Sequence, residues 1–262
     1  MKIIEDNNQL LEYIPNVVSA VEGEDTLFDK IASHIDIATS WLFRNVCRED
    51  AVTESLMPLV RSIVASEAFR TAIPSLNVIL TANGFGIVSN QSTAPASKER
   101  TEALVEALIA QRDNAIEQLA FELNGLGTPF GGTVFRGFEA QRLQGFPSHL
   151  MDKFIEQRPV IIRLQTTLTV EALSTDVSSA LTAATYTDEA ERPTHLQYLF
   201  PYVQHIILRQ MKGEEPKEDI RRVVNYIRTH EAEFPGWADT DAAKHWQDYR
   251  FQNDKKSGGF WL

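Results

Sequence analysis

The sequence predicts a mainly α-helical protein: helical bundles with one inserted β-hairpin at about residues 77–89 and an extended carboxy-terminal tail. Three features point there. Apolar residues recur at three- and four-residue spacing through most of the 262 positions, the period of a helix with one buried face. Two β-branched apolar runs flank Asn83-Gly84, a strong hairpin signal, because both central residues of a type I′ turn need positive φ. Six of the thirteen glycines fall between 125 and 147, which makes that the least regular stretch of the chain. With 43% hydrophobic and 23% charged residues, the composition is that of a folded globular chain rather than a disordered one.

The elements follow in order. Glu22, Gly23, Glu24 and Asp25 read as a loop, and Thr26 with Asp29 reads as a capping box. Leu27, Ile31, Ile35, Ala38 and Leu42 then mark a helix to Val46. A second helical stretch covers 49–73, with a kink or a fresh start at Pro58 and an end at Pro74. The hairpin is apolar on both faces and needs cover, since a two-stranded ribbon is marginal in water. Ser97 caps a long helix to Asn124, stopped by Gly125. Its core stripe is Val105, Leu108, Ile109, Arg112, Ile116, Leu119 and Leu123, and Glu102, Glu106, Asp113 and Glu117 form a solvated acidic face.

Between 125 and 147, Phe130, Phe135, Phe138 and Phe146 interleave with glycine. That many aromatics argue for an ordered crossing segment, and for the boundary between domains. Helices are expected at 149–157 and 159–172, then from Ser174-Thr-Asp176 to Ala184, through Leu196 to Ile207, and from Pro216 to Ile227, before Phe234-Pro-Gly-Trp237 breaks the pattern. The implied organisation is a helical domain with the hairpin (1–128), the crossing segment (129–148), a second bundle (149–242) and a tail (243–262).

Lys plus Arg number 25 against 36 Asp plus Glu, a formal charge of −11. That balance argues against a protein whose main task is gripping nucleic-acid phosphates. One cysteine, Cys47, excludes an internal disulfide framework and a multi-cysteine metal site. The amino terminus has no cationic start with an apolar run, so the expectation is a cytoplasmic, non-secreted chain with Cys47 reduced. Nucleophile-elbow, zincin and Walker patterns are absent, and no two of the six histidines are spaced as helix-face ligands. The sequence therefore predicts no enzyme activity, cofactor or metal. A buried structural thiol is the expectation for Cys47, although Arg44 and Arg48 beside it would favour a thiolate. Phe260, Trp261 and Leu262 after Gly258-Gly259 are a candidate docking arm, on the chain's own core or on a neighbour.

The run Leu-Asn-Val-Ile-Leu-Thr-Ala-Asn-Gly-Phe-Gly-Ile-Val-Ser-Asn at 76–90, the following Ala94-Pro-Ala-Ser-Lys-Glu-Arg100 and the tail from Phe251 to Leu262 resemble a family from Bacteroides-type phages and prophages. That family is described as head-completion or head–tail connector-like. The likeness spans most of the chain from the Trp41 helix onward, though the Trp-Leu ending differs from the more usual Phe or Tyr. It implies a virion structural subunit that forms a ring beneath the portal, with itself and portal or tail proteins as partners, no membrane and no sequence-specific nucleic acid. Asn83, Gly84, Phe85, Phe260, Trp261 and Leu262 would then serve the turn and the assembly contacts. Two other classes stand beside it. One is a cytosolic adaptor binding a protein through the Phe-rich segment 130–146, and the other a hydrolase or transferase with a composite site near Cys47 or His205.

Overall fold

The capping box at Thr26 forms in full: its hydroxyl accepts from the Asp29 amide, and the Asp29 carboxylate accepts from the Thr26 amide. This starts a 19-residue helix, Leu27–Asn45, that buries Ile31, Ile35, Ala38 and Leu42 on one face. The computed structural model describes residues 2–14, 25–76, 78–81, 84–87 and 97–246. The fold is mainly helical. The chain divides into two compact units, Met1–Pro159 and Val160–Leu262.

In the first unit, α1 (Asn7–Tyr13), α2 (Leu27–Asn45), α3 (Met57–Leu76) and α4 (Lys98–Glu122) build the bundle. Helix α3 packs against both α2 and α4. It is buried nearly all round, from Met57 and Val60 through Ser66 and Glu67 to Ile73, as expected of a helix inside the core. Pro58 falls in its first turn, where a missing amide costs nothing. Pro74 does not end it: the ring removes one bond of the last turn, and the helix runs on to Leu76. The amino-terminal segment is tied down by long-range bonds, Arg61 Nε donating to the Ile3 carbonyl at 3.2 Å and Gln111 Nε2 to that of Tyr13 at 2.9 Å.

Between α3 and α4, two four-residue strands, β1 (Val78–Thr81) and β2 (Gly84–Ile87), pair antiparallel with Val78 opposite Ile87 and Thr81 opposite Gly84. This register puts Gly84 and Phe85 inside β2, Phe85 opposite Leu80. Gly84 is therefore a strand residue rather than a central turn residue, and Asn83 lies outside the described residues. Ser97 caps α4, and Asn124 and Gly125 both take positive φ where it stops.

The glycine-rich stretch does not separate the units. Phe130 and Phe138 are fully buried with Phe154, their rings 4.3–6.2 Å apart, which welds this segment and α5 (Glu139–Leu143) into the first unit. The division lies instead inside α6 (Leu150–Leu168), a single helix that continues through Pro159 rather than two helices meeting there.

The second unit holds α7 (Thr175–Ala183), α8 (Thr194–Met211), α9 (Lys217–Thr229) and α10 (Asp241–His245). Leu181, Leu199, Val203, Ile206, Val223 and Ile227 form its core. Ala242 and Ala243 are buried in α10, so ordered structure passes the expected start of the tail. Among the described residues, no helix is long and apolar enough to cross a membrane.

Candidate functional site

The most concentrated polar chemistry lies in the first unit, around Arg112. The helical period of α4 turns this residue into the core, and its side chain is 0% exposed. A guanidinium out of water is tolerated only when its donors are met by carboxylates. Its Nη1 donates to Glu67 of α3 at 2.8 Å, its Nε to Asp113 at 2.9 Å and its Nη2 to Asp152 of α6 at 3.2 Å. The Trp41 ring lies 5.4 Å from the guanidinium carbon, within cation–π range. Burial by itself would lower the Arg112 pKa, but Asp113, Asp152 and Glu67 reverse that and hold the proton more firmly than usual.

Asp113 makes two kinds of contact. One oxygen faces Arg112, and the other accepts from the backbone amides of Leu150 at 2.7 Å and Met151 at 3.3 Å. It thereby caps the first turn of α6 from another helix. The residue just before that turn, His149, has φ 56°. Burial pushes the Asp113 carboxyl above the ordinary carboxylate range, against the pull of Arg112 and the two amides. His149 lies 2.9 Å from Glu106 and 3.5 Å from Asp152, at the edge of the cluster. Glu67 is held a second time by Arg70, at 2.6 Å.

One turn further along α4, Glu117 accepts from the Phe138 amide at 3.2 Å and pairs bidentately with Arg142. Gly137 allows this approach: a Cβ there would lie 2.5 Å from a Glu117 oxygen, and its φ is 50°. The expected solvated acidic face is therefore only half real. Glu102 and Glu106 face solvent, whereas Asp113 is buried and Glu117 is largely covered. What the arrangement does chemically is join α3, α4, α6 and the α5 loop. Arg112 has no face left for a ligand arriving from solvent.

Other candidate residues separate. Phe130, Phe135 and Phe138 belong to the unit's own core, whereas Phe146, the fourth phenylalanine of that segment, is half-buried. Cys47 is a free, buried thiol, and burial pushes it up to about 11, which leaves it a poor nucleophile. His205 is exposed, 4.0 Å from Asp219. Phe260, Trp261 and Leu262 lie outside the described residues. Among the described residues, no group of three or more His, Cys, Asp or Glu could hold a metal ion. The Arg112 cluster escaped the sequence reading as a site, although an arginine on an otherwise apolar stripe was its visible signal.

Residues 14–128 match DUF6712, a family of unknown function. The match takes in Trp41, Glu67, Arg112 and Asp113 and stops before His149 and Asp152. No curated protein and no solved structure matches the chain.

Proposed function

We propose that the protein is a non-enzymatic structural subunit of a phage or prophage particle, a head–tail connector or head-completion protein that assembles as a ring. The observation that carries this reading is charge. The chain has a formal charge of −11. Several exposed cations are taken up by local ion pairs: Lys98 with Glu102, Lys153 with Glu156, Arg221 with Glu218 and Lys244 with Asp241. A ring lined by such a surface repels duplex phosphates and lets DNA slide without sticking.

Assembly would use the inserted β-hairpin at about 77–89 and the carboxy-terminal Phe260, Trp261 and Leu262. Among the described residues β1 and β2 have no third strand, and open strand edges are templates for pairing with a second copy. The test is sedimentation velocity with negative-stain microscopy on the full chain, alone and with a candidate portal protein. Closed rings, or a ring-sized complex with the portal, are the expected result, and deleting 257–262 should weaken assembly while leaving helical content intact. A chain that stays monomeric in both conditions contradicts the reading.

A further inference from the structure

The second unit fixes one tryptophan at both ends. After α6, residues Thr169–Leu173 form a π-helical turn, and Ser174 follows with φ 75° and ψ 162°. That region is essentially reserved for glycine and persists only where surroundings enforce it. Here two indoles hold the turn: Trp237 Nε1 donates to the Ala172 carbonyl at 3.0 Å, and Trp246 Nε1 to that of Glu171 at 2.6 Å. The Trp246 carbonyl in turn accepts from Arg228 Nη2 of α9 at 2.7 Å. Trp246 is thereby set between the turn and α9, half-buried, as one wall of a cleft.

The cleft holds about 280 Å³ and is lined by Arg221, Val224, Asn225, Arg228 and Trp246. Arg221, Asn225 and Arg228 stand at i, i+4 and i+7 on α9, which puts all three on one stripe of that helix. On a chain of formal charge −11, no carboxylate is among the described residues that line it. Arg221 pairs with Glu218 at 2.6 Å, but both side chains are exposed, and such a pair contributes little. Arg228 gives one N–H to the Trp246 carbonyl, and among the described residues no carboxylate pairs with it. A guanidinium presents its donors in a planar fork that matches carboxylate and phosphate oxygens two at a time. Two such forks, a carboxamide and an indole wall together suit an oxyanion carried on a flat organic body.

We propose that this cleft is a recognition site for an oxyanion, a carboxylate or a phosphate monoester, borne on an aromatic ring. Arg221 and Arg228 supply the charge and the forked donors, Asn225 donates a further hydrogen bond, and the ring rests against Trp246. The site stands independently of the assembly reading.

The test is titration of the isotope-labelled full chain at fixed ionic strength with benzoate, phenyl phosphate, inorganic phosphate and the neutral benzamide, followed by amide and indole N–H shifts. Saturable shifts at 221–228 and at Trp246 are expected for an aromatic anion and not for benzamide. The tighter of benzoate and phenyl phosphate names the group. Inorganic phosphate should bind more weakly than phenyl phosphate, and equal binding would overturn the role given to Trp246. Arg221→Gln, on an exposed side chain, should weaken binding about tenfold, the loss of one charge-assisted contact. The Trp237 indole signal, set by its bond to Ala172, should stay in place in that variant and shows that the unit is folded. If neither aromatic anion gives saturable shifts there, or benzamide binds equally well, or Arg221→Gln binds unchanged, the proposal is wrong.

Discussion

Arg112 in the first unit and Ser174 in the second are both polar residues with little exposed surface, and their surroundings treat them in opposite ways. Arg112 faces three carboxylates and an indole, and Asp113 beside it also caps α6. Ser174 sits in a conformation that suits glycine, next to a turn whose carbonyls accept from the indoles of Trp237 and Trp246. A satisfied buried network gives specificity and rigidity. A strained backbone is a local cost that persists only where the surroundings enforce it. A closed ionic network and an enforced backbone strain thus lie in different units of one chain.

The largest expected effect is at Arg112. Arg112→Ala leaves Asp113 buried without its counter-charge and Glu67 with Arg70 alone, and should cost about 3–5 kcal/mol, read as a lower urea midpoint or failure to fold. The triple change Arg112→Met, Glu67→Gln, Asp113→Asn sharpens the comparison, because it removes the stranded charges together. It should recover a large part of the loss, and if it is no better than Arg112→Ala, uncompensated charge is not the cause.

A smaller effect lies at the start of α2. Thr26→Ala removes the side chain that accepts from the Asp29 amide and should cost about 1 kcal/mol, seen as a modest fall in melting temperature. The Thr26 hydroxyl, and then its backbone amide, hold the Asp29 carboxyl below its ordinary value of 3.8. A lowered acid contributes stability above the unfolded value and loses it as pH falls through the folded one. Asp29→Asn should therefore be less stable than the parent at neutral pH, and the two should converge in acid. A gap that persists in acid would exclude the carboxylate as its source.

Much of the helical class was legible because its signals are local. Thr26 with Asp29, Ser97 before α4 and the stripe of α2 each depend on residues within one or two turns. Arg112 was legible as a core position for the same reason. Asp113 was not, since the helical wheel turns it away from the stripe and its burial comes from amides 37 and 38 residues later. Continuity of α6 through Pro159 was hidden by the rule that proline breaks helices, and nothing at 159 marks a boundary between units. The left-handed backbone at Ser174 had no signal either, because serine there looks like an ordinary N-cap and the indoles that enforce it come from 237 and 246.

The contrast between the units is tested most directly by calorimetric melting of Ser174→Gly. Glycine relieves a strain of about 1–3 kcal/mol and gives back roughly 0.5–1 kcal/mol through its freer unfolded chain. The variant should melt above the parent. A variant that melts at or below the parent temperature would contradict the contrast between a satisfied polar centre in the first unit and a strained position in the second.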